Sequence, residues 1–324
     1  MDLAFIIDPI HRLDPCHDTS VAMMEAAQKL GHQVWIAETQ ELEVRSGKAW
    51  AKLSPVRLTP VELKADHWVA ANPWFEVKKP VFRPLEEMGA VLMRTDPPVT
   101  ISYLYATYIL DYVDPQKTLV LNNPKGLRNA NEKMYALQFP QFIPETRVTT
   151  DKTVIREFVD SQGKAIMKPL GGKAGEGILI LEAGDRNFNS LIELSTQNGK
   201  LPVMVQQFLP AAKDGDKRII VLNGEAIGAV NRVSRTEEFR NNMAVGGEVE
   251  KAEITDREQE ICAHLAPILR NNGLYFVGLD VIGGYLTEIN VTSPTGIREI
   301  DRLNNVRLGE EVIAWLSDYV KFSL

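Results

Sequence analysis

Residues 276–294 read Phe-Val-Gly-Leu-Asp-Val-Ile-Gly-Gly-Tyr-Leu-Thr-Glu-Ile-Asn-Val-Thr-Ser-Pro, and this stretch restricts the fold more than any other. Val277, Leu279 and Val281 alternate with Gly278 and Asp280, and Ile289 and Val291 alternate with Glu288 and Asn290. Period two is the strand period, so the stretch reads as a β-hairpin with one apolar and one polar face. Loop length decides whether the two polar faces coincide. A two-residue Gly283-Gly284 turn would pair Ile282 with Tyr285 and put Glu288 on the face of Leu279 and Val281. A three-residue loop, Ile282-Gly283-Gly284, is therefore expected: a type I turn followed by glycine in the left-handed region. It gathers Asp280, Glu288 and Asn290 on one face. Two carboxylates and an amide oxygen, without thiol or imidazole, are hard ligands that suit Mg²⁺ or Mn²⁺ beside a substrate phosphate. The same spacing also fits an ordinary hairpin whose polar side chains face water.

A chain of 324 residues is long enough for two or three domains with cores of their own. Its net charge is −7, from 36 basic and 43 acidic residues, with no basic run or aromatic-plus-basic stripe, so nucleic acid is not an expected partner. The two cysteines, Cys16 and Cys262, make neither a disulfide framework nor a metal knuckle, which fits a cytoplasmic protein. The start, Met-Asp-Leu-Ala-Phe-Ile-Ile-Asp, reads as a first strand and not as a signal peptide. No apolar stretch approaches membrane-spanning length, so no membrane partner is expected.

Leu3 to Ile7 is continuously apolar, as in a strand buried on both faces. A helix capped at Asp18 or Thr19 and ended at Gly31 leads to the strand Gln33 to Ala37. This β-α-β start lacks G-x-G-x-x-G, so the dinucleotide reading loses its main support. Short proline-broken strands fill 45–84. The strand Gly89 to Met93 runs into Arg94-Thr-Asp-Pro-Pro98, which sets a fixed cation at a sheet edge, where ligands of open α/β sheets bind. An Arg94–Asp96 structural ion pair is the plainer reading of the same residues. Asn122-Asn123-Pro124 breaks the chain, and a domain boundary is expected between there and Asn129.

Asn131-Glu132-Lys133 opens a helical stretch to about Phe139; taken alone, Lys133 reads as a solvated helix lysine. A strand ends at Lys168 and a loop with Gly171, Gly172, Gly175 and Gly177 leads to the next strand. No G-x-x-x-x-G-K-[ST] is present, so this is no P-loop. Glycines between two strands would instead let backbone N–H groups approach phosphate oxygens, with Lys168 as a compact cation; a glycine-rich hairpin that binds nothing is equally compatible. Val203 to Pro210 is a strand ending in Gln206-Gln207-Phe208-Leu209, a purine wall or a plain strand end. Lys213-Asp-Gly-Asp-Lys-Arg218 reads as a charged turn before a strand from Ile219 to Leu222, and Asn223-Gly224 as a hairpin turn before Ala226 to Val233. The polar stretch 234–247 carries Arg235, Arg240 and two glycines, and its length marks it as functional or disordered. Thr255-x-x-Glu258 is a capping box that opens a helix, and a last helix runs from Leu308 to Tyr319.

The order of these signals resembles the ATP-grasp superfamily, and within it the prokaryotic-type glutathione synthetases along nearly the whole chain. The phrases that carry the resemblance are Arg94-Thr-Asp-Pro-Pro98, Tyr105-Ala-Thr-Tyr-Ile-Leu110, Lys213-Asp-Gly-Asp-Lys-Arg218, Phe276-Val-Gly-Leu-Asp280 and Leu286-Thr-Glu-Ile-Asn-Val-Thr-Ser-Pro-Thr295. The resemblance implies an α/β N-terminal parallel-sheet domain (1–128), then ATP-grasp α+β units (129–200, with a lid, and 201–324), with ATP between two antiparallel sheets. It implies ATP contacts from Lys133, Lys168, Gly171, Gly172, Gly175, Asp216 and Gln206, Gln207, Phe208 and Leu209. Asp280, Glu288 and Asn290 would hold two Mg²⁺ ions; Arg218, Arg232 and Arg240 would meet phosphate or carboxylate; Arg94, Asp96, Ser293 and Thr295 would meet substrate. The reaction implied is ligation of γ-glutamylcysteine to glycine through an acyl phosphate, in a homo-oligomer, a tetramer by resemblance. The family's lid motif carries Asp and Met-Gly near Lys-Pro-Leu; here Gly171-Gly172-Lys173-Ala174-Gly175 departs from it. Two other readings compete: another carboxylate–amine ligase of the same fold, such as a D-alanine–D-alanine or amino-acid-to-peptide ligase, and a nucleotide-sensing scaffold without turnover.

Overall fold

The computed structural model describes residues 1–172, 175–234 and 248–323. Three sheets organise them. In the first, Leu119–Leu121, Ala90–Met93, Asp2–Ile6 and Gln33–Ala37 lie side by side and parallel, and Lys48–Leu58 joins the edge antiparallel. Leu3, Phe5, Val91 and Leu92 are fully buried because helices cover the faces of a parallel sheet, which explains the unbroken apolar runs. The helix Thr19–Lys29 is capped by Asp18, whose side chain accepts from Val21 N at 2.8 Å.

The second sheet is antiparallel, in the order Thr146–Thr149, Val203–Gln207, Lys164–Pro169, Leu179–Glu182. It has its own core with the helices Lys152–Gln162 and Phe188–Ser195, built on Ile155, Phe158, Met167, Leu181 and Val205. The division expected at residue 200 assigns Val203–Gln207 to the C-terminal unit, but its hydrogen bonds put it in the middle of this sheet. The third sheet runs Glu248–Lys251, Glu225–Val233, Asp216–Leu222, Phe276–Ile282, Tyr285–Asn290, antiparallel throughout. It shares its buried residues with the first sheet: Ala4 and Val91 sit in one cluster with Val277 and Ile289, and Phe5 and Leu92 in another with Ile220 and Phe276.

Three local expectations are corrected. The hairpin loop has two residues, because Ile282 pairs with Tyr285, with Gly283 at φ 56° and Gly284 at φ 80°. Both central residues at positive φ suit the turn that follows strand twist best. The register then shifts between Asp280 and Val281, leaving Thr287 as the extra residue, and Asp280 faces Glu288. The bulge achieves what the longer loop was expected to do. Secondly, Asp216, Lys217 and Arg218 are strand and not turn. Asp216 and Arg218 are matched by Arg232 and Asp280 across the sheet and Lys217 by Glu258 on a helix, so the strand does not have to stop where the apolar run does. Thirdly, Asn123-Pro124 opens a helix instead of breaking the chain: Asn123 accepts from Lys125 N and Gly126 N at the head of Pro124–Asn129, with proline in the first turn.

Candidate active site

Strand register assembles the charged centre. Arg218 lies directly opposite Asp280, and Asp216 directly opposite Arg232. Residues two apart share a face, so all four side chains project from one side of the third sheet. Arg218 grips Asp280 through two contacts, Nε to Oδ1 at 2.6 Å and Nη2 to Oδ2 at 3.1 Å. Arg232 Nη2 reaches Asp216 Oδ2 at 2.6 Å and Asp280 Oδ1 at 3.1 Å. All four are buried. Burial opposes ionisation of Asp280, but the Arg218 and Arg232 guanidiniums outweigh it and hold the carboxyl well below the usual carboxylate range. Asp216 shows the opposite balance. Burial raises it to about 6, Arg232 offsets only part of that, and the Asp280 charge adds to it. Its Oδ1 has no hydrogen-bond partner.

Gly278 is part of this arrangement. A Cβ there would meet Pro294 Cβ at 2.9 Å and Arg218 Cδ at 3.2 Å, so the Arg218 side chain passes over a position that only glycine leaves open.

Glu288 and Asn290 extend the same face along the neighbouring strand, opposite Asp280 and Gly278. Glu288 Oε1 pairs with Lys133 Nζ at 3.0 Å, and Lys133 is buried, unlike a solvated helix lysine. The helical stretch expected at 131–139 is only a short 3₁₀ turn, Tyr135–Gln138. Asn290 Nδ2 donates to Gly278 O at 3.3 Å, which turns the amide oxygen away from the strand pair.

Lys168 comes from the second sheet and donates to Gln206 Oε1 at 2.9 Å, while Gln206 Nε2 donates to Thr146 Oγ1 at 2.9 Å. Gln206 thus aims the lysine. Desolvation lowers the Lys168 ammonium, the charges of Glu288, Asp216 and Asp280 raise it, and Lys133 lowers it. One lysine on the second sheet lies within electrostatic reach of three carboxylates on the third and of Lys133, which pairs with one of them. Of the expected purine-side residues, Phe208 lies under Lys164 Nζ, 4.5 Å from its ring centre, and Gln207 N bonds Glu145 O at 2.9 Å. Gly172 and Gly175 adopt φ of 103° and 79°, and nothing stands within 4 Å of a Cβ built on Gly171.

Arg94 lies buried between the first sheet and the loop after the hairpin, with Nε on Ser20 Oγ at 3.0 Å and Nη2 on Pro294 O at 2.9 Å; Nη1 has no hydrogen-bond partner. Asp96 N donates to Asp8 Oδ2 at 2.9 Å. Ser293 is buried, and Thr295 O accepts from Arg218 Nη1 at 3.0 Å, so this loop joins the Arg94 region to the Arg218–Asp280 pair. Arg240 lies outside the described residues, as does most of the polar stretch 234–247.

Two residues that sequence reading did not single out hold this loop. Glu132 Oε1 accepts from Val291 N, Thr292 N and Thr292 Oγ1 at 2.8, 3.0 and 2.9 Å. Asn122 Nδ2 donates to Phe276 O at 2.7 Å and to Val291 O at 2.9 Å. Nothing local marked either one, since their partners lie more than 150 residues away in sequence.

The donor set fits a hard divalent cation held jointly with phosphate oxygens. Glu288 and Asn290 offer oxygen only, and Asp280 keeps one oxygen with a single partner. Among the described residues no three His, Cys, Asp or Glu converge as a closed metal cage. Mg²⁺ commonly binds in this way, through a few protein oxygens with substrate phosphates completing the shell.

Comparison with known proteins places the family. The family model for the prokaryotic glutathione synthetase N-terminal domain matches residues 1–128, and that for the prokaryotic glutathione synthetase ATP-grasp domain matches 132–305. A glutathione synthetase of Nostoc sp. is 66% identical over 316 residues, 98% of each chain. That of Gloeobacter violaceus is 50% identical over 329 residues, 100% of this chain and 99% of its own. Among solved structures, D-cycloserine synthetase DcsG superposes with a TM-score of 0.67 at 13% identity over 99% of this chain and all of its own. The ATP-grasp ligase PsnB, complexed with minimal precursor, Mg and ADP, gives 0.62 at 17% over 98% of each. Such low identities speak to the fold alone. The two family models and the full-length relatives decide the rest: the chain belongs to the prokaryotic glutathione synthetase family.

Proposed function

We propose that this ATP-grasp ligase joins the cysteine carboxylate of γ-glutamylcysteine to the amine of glycine, giving glutathione, ADP and phosphate. The observation that carries the reading is the convergence of Lys168 on one antiparallel sheet with Glu288, its partner Lys133 and the Arg218–Asp280–Arg232–Asp216 lattice on the other. A carboxylate is a poor acyl donor because its oxygen will not leave; a phosphoryl group transferred from ATP turns that oxygen into a leaving group. Phosphoryl transfer asks chiefly for positioning and for cations around the moving charge. Lys133 and Lys168 supply fixed ammonium groups to the triphosphate, Arg218, Arg232 and Arg240 further cations, and the glycine loop 171–177 a cover that keeps water from the acyl phosphate. Gln207, Phe208 and Leu209 line the purine. Two bound Mg²⁺ ions, or Mn²⁺ in their place, would neutralise triphosphate oxygens beside Glu288, Asn290 and Asp280, with phosphates completing the shells. Arg94, with its free Nη1, and the loop with Ser293 and Thr295 would hold the peptide, beside Asp96.

No side-chain nucleophile is required, and the thiols agree. Burial, aided by Glu258, pushes Cys262 up to about 11, and burial with Asp14 also raises Cys16, so neither thiol is activated. No helix among the described residues is long and apolar enough to cross a membrane. A cytoplasmic homotetramer without nucleic-acid or membrane partners completes the proposal.

The test is ADP release and product mass with MgATP and a panel of acceptors and donors. Glutathione from γ-glutamylcysteine and glycine alone supports the reading. Turnover with D-alanine or with longer peptides instead would point to a sister ligase, and nucleotide binding without turnover to a sensing role.

The pH dependence has a specific source. Asp216, raised to about 6, must be ionised to keep its contact with Arg232. The rate is therefore expected to fall as pH drops through about 6. In Asp216→Asn the rate should be lower throughout and this acid limb flattened; an unchanged limb in the variant would assign it to another group.

A further inference from the structure

The residues on both sides of Asn290 are tied to one residue. Ile289 N donates to the Glu132 carbonyl oxygen at 3.0 Å, and Val291 N to Glu132 Oε1 at 2.8 Å. Thr292 adds its N–H and hydroxyl to the same oxygen, at 3.0 and 2.9 Å. Beyond Asn290 the chain leaves the sheet, so no neighbouring strand fixes this stretch. Next to Glu132, Lys133 pairs with Glu288. One dipeptide therefore grips the strand end at Glu288 and on either side of Asn290. Burial first, and then the nearby Glu288 charge, raise the Glu132 carboxyl, so it stands at the edge of the same charged centre.

We propose that Glu132 is a positioning residue for the metal: as a hydrogen-bond acceptor it fixes the backbone around Asn290 so that the amide oxygen is aimed at the cation. The assignment rests on Asn290 being a metal ligand, as proposed above. Partners that orient a ligand are commonly worth about 10- to 100-fold in metal affinity. A glutamine at 132 keeps an oxygen acceptor of the same reach and drops the charge, whereas alanine removes the acceptor.

The test is binding, measured by calorimetry and by Mn²⁺ electron paramagnetic resonance, of Mn²⁺ with ADP and of ADP alone in chelator. Glu132→Ala is expected to weaken Mn²⁺ binding by about 10-fold or more and to leave metal-free ADP binding within about 3-fold, while Glu132→Gln keeps most of the wild-type affinity. Unchanged Mn²⁺ binding in the alanine variant overturns the assignment. So does an equal loss of metal-free ADP binding, which marks general damage, and so does a glutamine variant as weak as alanine, which marks charge and not aim. If the alanine chain does not fold, Glu132→Asp, which withdraws the acceptor by one methylene, must show the same selective loss. The assay does not depend on ligation, so a wild-type chain that binds Mn²⁺ and ADP but makes no glutathione overturns the functional reading alone.

Discussion

Glu288→Ala is expected to lower kcat by about 10³-fold, close to 4 kcal/mol of transition-state stabilisation. Two losses add. In the proposed site the cation would lose its most accessible carboxylate, since Asp280 is already committed to two guanidiniums. The buried Lys133 loses the partner at 3.0 Å that holds its ammonium in place. Both act where phosphoryl charge is redistributed, and positioned charge is the main thing such a reaction needs. Glu288→Gln keeps the volume and one oxygen but not the charge, and should fall nearly as far. Single-turnover ADP formation at saturating nucleotide is the measurement that separates this from weakened binding. The glutamate side chain is 23% exposed but its partner Lys133 is buried, so some stability should be lost, and rates are compared below the variant's own melting temperature as the matching control. Wild-type-like turnover in either variant would remove Glu288 from the site.

The sequence made some of this legible and not the rest, for physical reasons that particular residues show. Period two along 276–291 identified both strands and their polar faces, because alternation is a local property. The loop length is not legible in the same way, because alternation predicts three residues only for an unbroken ladder. Gly283-Gly284 forms the short turn, and a bulge at Thr287 restores the alignment, with Thr287 Oγ1 donating to Asp280 O at 3.1 Å. A bulge inserted inside the strand leaves no local signature. Asp216 and Arg218 look like a surface turn because charges are rarely buried unpaired. Their partners, Arg232 and Asp280, are 16 and 62 residues away, and only the folded sheet brings them opposite. Lys133 was ambiguous for the same reason. Asn123-Pro124 is the reverse case: the capping signal is local and present, but the same residues also fit a chain break. The family-level phrases point to the candidate site residues, but the pairings among them required coordinates.

Asp280→Asn should be the most destabilising single change at the site, by about 3–5 kcal/mol, the usual cost of breaking a buried ion pair by removing one partner. Asp280 takes both contacts from Arg218 and one from Arg232, and the four side chains form a near-neutral set of two cations and two anions. Without it, two buried guanidiniums share the single Asp216 carboxylate, which contacts only Arg232 and whose ionisation burial opposes. Asparagine fits the space but would turn an N–H₂ donor toward guanidinium donors, so shape alone rescues nothing. Urea unfolding at neutral pH is the measurement. The linkage signs provide a second check. The folded Asp280 carboxyl titrates below its unfolded value near 4, so its contribution is present above that value and is lost as pH falls through the folded one. Asp216 is raised, so its contribution is complete only below its unfolded value and is lost as pH climbs toward 6. In Asp280→Asn the loss of stability below pH 4 should therefore be shallower than in wild type. A variant that unfolds at the wild-type urea concentration with the same acid profile would mean that Arg218 and Arg232 are compensated by some other group, and that Asp280 is free to serve the metal alone.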